Sequence, residues 1–160
     1  MKMTAAIIIA ILLLIVPLAL LIAGQQQLLS GWRPTDLGVT NRMLKPPETG
    51  KQNSVSSQAS VDNSDHAIAP LAFTGDGHAA FLKLTAIVTG MRGARVITAR
   101  PDYLYAEYES RWLRFIDDVE FLLDERAGVI HMRSASRLGR KDFGVNRTRL
   151  ESIRTQFSRP

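Results

Sequence analysis

The 160-residue chain has no cysteine, only three histidines, and aromatic residues at just 7% of the total. Without cysteine, disulfide scaffolds, thiolate nucleophiles and cysteine-ligated metal centres are all excluded. The histidines, His66, His78 and His131, show no metal-ligand spacing, and no G-x-S-x-G elbow presents a serine nucleophile. No catalytic residue, metal site or cofactor is therefore assigned from the sequence. Charge is missing most completely from Ala5 to Gly24, AAIIIAILLLIVPLALLIAG, twenty residues that supply much of the 46% hydrophobic content.

A helix of that length rises about 30 Å, the hydrocarbon thickness of a bilayer, so residues 5–24 are expected to cross a lipid bilayer. Lys2 precedes the run and no charge follows until Arg33, the layout of a signal peptide or an uncleaved signal anchor. The run exceeds a usual secretory core, and cleavage after Ala23 or Gly24 would put Leu21 or Ile22 where a small residue is needed. An uncleaved anchor is the better reading, with Pro17 accommodated inside it and the helix continuing to Trp32 at the headgroup level. Arg33 and Arg42 compete with Lys2 for the inside position. The early start of the hydrophobic run still favours an inside N-terminus and an extracytoplasmic remainder.

The net charge of +5 is a sum of unlike parts. Asp102 to Glu125 holds eight acids and two bases, a balance of −6, whereas Arg126 to Pro160 holds nine bases and two acids, a balance of +7. Two such blocks are expected to face each other, leaving a modest surplus for an anionic surface or ligand. A nucleic-acid partner is not expected.

Three regions follow: an anchor over 1–30, an extended segment over 31–70 rich in Pro, Gly, Ser and Asn, and a globular domain over 71–160. Within the domain Leu71 to Phe73 reads as a short strand. Asp76 caps a helix running to Met91 with Phe81, Leu84, Val88 and Met91 on one face. Strands follow over Arg95 to Ala99 and Tyr103 to Glu109; in the second, Leu104, Ala106 and Tyr108 alternate with Tyr103, Tyr105 and Glu107. Phe115 to Asp124 and Val129 to Arg137 form a hairpin through a four-residue loop, which aligns Phe121 with Met132 on an apolar face and Glu120 with Arg133 on a polar one. Exposed, that ion pair is worth a few tenths to about 1 kcal/mol. Asn146 caps a last helix, with Val145 and Leu150 as a hydrophobic staple and Leu150, Ile153 and Phe157 as its buried stripe. The expected fold is α+β: an antiparallel sheet of four to five strands, two helices packed on one face, and an N-terminal transmembrane helix in front.

Several long motifs sit in this region: Ser110 to Phe121 (SRWLRFIDDVEF), Arg133 to Gly139 (RSASRLG) and Asp142 to Arg147 (DFGVNR), with Pro34 to Val39, Asn53 to Ser57, His66 and Pro70-Leu71 upstream. In these the chain resembles domain-of-unknown-function family 1499. The resemblance implies a bacterial or plastid protein, commonly with an N-terminal hydrophobic segment and with no established reaction. It also implies that 31–70 packs on the domain and is more than a spacer. Family members often carry Cys where Ser54 stands, so a thiol role there does not apply.

The candidate binding residues are Asp117, Asp118, Glu120, Arg133, Ser134, Ser136, Arg137, Asp142, Asn146 and Arg147. Adjacent strand residues point to opposite faces, so Asp117 and Asp118 are not expected to converge on a metal. Arginines with the free amides of a helix start suit an anionic group; the alternative is a buried polar network with Asp142 bonded to Arg137 or Arg147. Two functions are carried forward. One is a membrane-anchored binding or scaffolding domain in the periplasm, tethered to a bacterial inner membrane as a single-pass protein and contacting an envelope protein or an anionic or lipid-like ligand. The lipid version requires a pocket lined by Phe81, Val88, Phe121 and Met132. The other is a hydrolase using Asp117, His66 and the arginines, which requires Asp117 and His66 at one cleft.

Overall fold

The computed structural model describes residues 2–159, with side chains from Thr4 onward, so the charge of Lys2 and the terminal Pro160 lie outside the described set. The first helix, α1 (Lys2–Gln25), contains Pro17 and is apolar on every side. Within Thr4–Gln25 its most apolar 18-residue stretch has a mean hydropathy of 3.3 with nothing buried, which makes the helix long and apolar enough to cross a membrane. It stops short of Trp32. Gln27 turns left-handed (φ 59°) and its N–H bonds back to the Gly24 carbonyl at 2.8 Å. Gly24 is needed at this exit because a Cβ there would lie 2.7 Å from the Leu113 carbonyl oxygen. Gly31, at φ +69°, closes just as tightly on the side chains of Arg137 and Leu138.

The remaining elements are β1 (Ser54–Ser56), β2 (Leu71–Ala72), α2 (Gly77–Gly90), β3 (Ala94–Ala99), β4 (Tyr103–Glu109), β5 (Ile116–Asp124), β6 (Val129–Ser136) and α3 (Val145–Phe157). The strands form one antiparallel sheet in the order β1-β6-β5-β4-β3, with β2 also paired to β6. This is the expected α+β architecture, with one strand more. The addition is β1, three residues from a Ser- and Asn-rich stretch read from sequence as irregular.

The β5–β6 hairpin has the register its four-residue loop implies, with Phe121 opposite Met132, Glu120 opposite Arg133 and Leu122 opposite His131. Period-two alternation then sorts each strand into two faces. On the first, Leu104, Val119, Phe121, Ile130 and Met132 pack against Phe81, Leu84 and Val88 of α2 and Leu150, Ile153 and Phe157 of α3. The lipid pocket expected between helix and sheet is not there: Phe81 is 3% exposed, and Val88, Phe121 and Met132 are 0% exposed, packed into one another. Buried helix and sheet residues fill that space between them, as protein interiors are close-packed.

Asp76 caps α2 as expected, its Oδ1 accepting from the His78 N–H at 2.8 Å and the Ala79 N–H at 3.2 Å. Asp76→Ala is expected to lose about 1 kcal/mol, lowering the melting midpoint by about 4–8 °C. A thermal melt followed by circular dichroism checks this.

Candidate functional site

The second face of the sheet carries Tyr103, Tyr105 and Glu107 from β4, Asp118, Glu120 and Leu122 from β5, and Arg133 from β6. It holds the candidate binding residues Asp118, Glu120 and Arg133, and it is covered. The segment following α1 crosses it: Leu44 is 2% exposed against Tyr103, Tyr105 and Leu122, and the Gly38 N–H donates to Glu120 Oε1 at 2.8 Å. Arg33 reaches Glu107 at 2.6 Å. The Glu120–Arg133 pair, at 2.9 Å, is therefore deeply buried and falls outside the range that applies to exposed pairs.

Three carboxylates organise this face. Glu120 accepts from Arg133, from the Tyr103 hydroxyl at 2.8 Å and from Gly38. Asp118 accepts from Arg137 Nη2 at 2.7 Å and Nε at 3.0 Å, and from the Tyr105 hydroxyl at 2.6 Å. Glu107 is held by Arg137, Arg95 and Arg33. Burial pushes the Glu107 carboxyl up, but the three guanidiniums outweigh it and bring it down to about 2. Burial and the adjoining carboxylates push the Tyr103 and Tyr105 phenols up, while Asp118 and Glu107 outweigh burial to raise Arg137. Glu107, Tyr103, Tyr105 and Arg137 are thus each driven away from neutral titration, the opposite of what acid–base chemistry requires.

The other candidates lie elsewhere. Asp117 points to the helix-covered face and pairs with Arg149 of α3 at 2.5 Å. Arg149 also donates to Ser134 Oγ at 2.9 Å and Asn146 Oδ1 at 2.8 Å, and Asn146 Nδ2 donates to Ser136 Oγ and the Asn53 carbonyl, each at 3.0 Å. The ten candidate residues therefore do not form one site. Glu120 with Arg133 and Asp118 with Arg137 are two ion-pair clusters on one face, and Asp117, Ser134, Ser136 and Asn146 belong to a network across the sheet. Several pairs join the acidic sequence block to the basic one: Glu120 with Arg133, Asp118 with Arg137, Asp117 with Arg149.

Three expectations about the loop before α3 are corrected. Asn146 is not the cap; it lies inside α3, and Gly144 (φ 82°) occupies the cap position with no side chain to offer. Asp142 takes over the capping, accepting from the Gly144 N–H at 3.0 Å and the Asn146 N–H at 2.9 Å. It bonds neither Arg137, which is engaged by Asp118 and Glu107, nor Arg147, which donates to the Ser64 and Asp65 carbonyls at 3.2 Å. Free helix amides a few residues away are the nearer partners for a short carboxylate. Val145, at 50% exposed, makes no staple with the buried Leu150.

Residues missed from sequence are Arg33, Arg95, Tyr103, Tyr105 and Glu107 in the clusters of the covered face and Arg149 in the network across the sheet. Glu107 was within reach: its alternation with Ala106 and Tyr108 placed it with Tyr105 on the polar face, which Glu120 shares on the neighbouring strand. Asp117 and His66, which a hydrolase reading needs at one cleft, line different clefts, and no hydrogen bond joins them among the described residues. Asp117 is taken by Arg149, and the His66 ring bonds through Nδ1 to the Ser54 carbonyl at 2.7 Å.

What is open to solvent is the loop from Leu138 to Val145. A crevice of about 240 Å³ lies between this loop and the segment before it, lined by Gln52, Asp65, Lys141, Asp142, Phe143 and Arg147 among others. The Lys141 ammonium has no hydrogen-bond or ion-pair partner among the described residues.

Among the curated proteins and the solved structures compared with it, none matches the chain. A family model described as protein of unknown function (DUF1499) matches residues 46–157, which takes in every strand, α2 and α3. The chain belongs to the DUF1499 family.

Proposed function

We propose that this protein is a membrane-anchored, extracytoplasmic binding domain, held at a bacterial inner membrane by α1, whose contact surface is the exposed Leu138–Val145 loop and whose ligand is anionic. The observation that carries the reading is the contrast in charge compensation. The arginines that pack against the sheet, Arg133 of β6, Arg137 just past it and Arg149 of α3, end on carboxylates, and Glu107 by itself takes three guanidiniums. Lys141 is exposed, lining the crevice with Arg147, and its ammonium is unpaired among the described residues. A cation without a partner at a concave surface suits a phosphate or carboxylate group.

Native mass spectrometry of the full chain released from the membrane in detergent tests this. A copurified anionic species is expected on the unaltered chain, with occupancy reduced about tenfold or more in Lys141→Glu, the scale of one lost charge-assisted contact. The melting midpoint should not change, because the Lys141 backbone, which bridges to Gln52, is retained and its ammonium has no hydrogen-bond or ion-pair partner among the described residues. Equal occupancy in both, or no bound species in either, counts against the reading.

A further inference from the structure

The two ends of the sheet differ in what they expose. At the end where α1 departs, the 110–115 loop between β4 and β5 and the 137–144 loop between β6 and α3 hold Trp112 at 63% exposed and Phe143 at 96%. Between the loops lies a cleft of about 380 Å³ with mostly apolar walls, including Phe115, Ile116, Leu138 and Phe143. Both loops touch the exit of α1. Gly24 lies against Leu113 of the first, and Gly31 against Leu138 of the second. The cleft thus opens beside the point at which the helix leaves the domain.

Charge follows the same division. Arg111, Arg140 and Lys141 are exposed on these loops, while the neighbouring acids are engaged, Glu109 by Arg114 at 2.9 Å and Asp142 by helix amides. Aromatic rings interleaved with cations at the end of an apolar helix is the composition of a membrane–water interface. Cations held near an anionic lipid surface are attracted to it. At the far end charge is balanced instead: the β5–β6 turn sets Asp124 and Glu125 against Arg126, and Arg42 pairs with Asp124 at 3.6 Å.

We propose that this end of the domain is a membrane-docking surface. The two loops rest in the headgroup region of the leaflet that α1 enters, with Trp112 and Phe143 inserted among the lipids and Arg111, Arg140 and Lys141 on lipid phosphates. The inference deepens the binding reading by naming the anionic species as the bilayer's own lipid, and it rests on α1 spanning that bilayer.

The test uses the full chain in lipid nanodiscs containing phosphatidylglycerol and phosphatidylcholine brominated on the acyl chains. Trp32→Phe makes Trp112 the sole tryptophan, and since Trp32 is 95% exposed the fold does not depend on it. For comparison, Trp32→Phe/Trp112→Phe/Ala127→Trp places the sole tryptophan at the opposite turn, about 27 Å away along the nine residues of β5. Bromine is expected to quench Trp112 at least about twofold and to leave the distal tryptophan unquenched, because only groups at interface depth meet the lipid chains. Adding Phe143→Asp should cut the quenching of Trp112 to less than half. Trp112 quenched no more than the distal tryptophan, in a chain that still copurifies with the discs, overturns the docking surface and leaves the patch to a protein partner. Failure of the chain to copurify with discs at all overturns the anchoring beneath both proposals.

Discussion

Glu120→Ala is expected to destabilise the domain by about 3–5 kcal/mol, the cost of leaving a buried ion without its partner. That is a large part of the roughly 5–15 kcal/mol by which a domain is folded. Glu120 is 0% exposed, and its removal strands three donors at once: the Arg133 guanidinium, the Tyr103 hydroxyl and the Gly38 N–H. The last of these pins the covering segment, so its loss should also loosen the chain around Leu44. Chemical denaturation of the full chain in detergent gives the free energy, and amide exchange at Gly38 reports the loosening. Replacing both partners, Glu120→Leu with Arg133→Met, should recover much of the loss, since an apolar pair of similar volume removes the buried charge instead of orphaning it. A loss below about 1 kcal/mol in the single variant would place the pair with exposed ones and contradict the burial.

Acid should unfold the protein through Glu107. Its carboxyl, ordinarily near 4.5, is brought to about 2 in the folded chain by Arg137, Arg95 and Arg33 acting against burial. Between these values the unfolded chain binds the proton and the folded chain does not, so stability falls as pH falls. The contribution of Glu107 is fully present above about pH 4.5 and is lost on approach to pH 2, a change of about 3 kcal/mol by linkage. Glu107→Gln should be less stable near neutral pH and show a flatter decline across that window. Denaturation midpoints from pH 6 to 2 measure both. An unaltered slope in the variant would mean that other carboxylates carry the acid sensitivity.

Local periodicity wrote much of this fold into the sequence. The four-residue loop after Asp124 and the alternation of the strands on either side set the β5–β6 register, and the spacing of Phe81, Leu84 and Val88 set the buried stripe of α2. These are contacts between near neighbours, where spacing carries information. The covering of the polar face was not legible in residue patterns, because Arg33 meets Glu107 across 74 residues and Gly38 meets Glu120 across 82. No local period encodes such pairings; only the family resemblance pointed to a segment that packs. Without the cover, Glu120 and Arg133 read as a surface pair and their neighbours as a site. The cap of α3 failed for a related reason. Asn146 has the chemistry of a cap, but Ser134, Ser136 and Asn53 claim its side chain from inside the fold, and Asp142 is left to do the capping.

The join at Gly24 and Gly31 has a consequence for reach. Seven residues separate the end of α1 from Arg33, which is already fixed to Glu107. Had the 38 residues from Arg33 to Pro70 been a free leash, the domain would range over roughly 35 Å from its attachment. That length is instead spent on the sheet, and no slack remains. In the anchored arrangement proposed above, the domain cannot search the space beyond the membrane for what it meets. Its partners must come to the bilayer surface, and rotation of α1 about its axis would turn the domain with it.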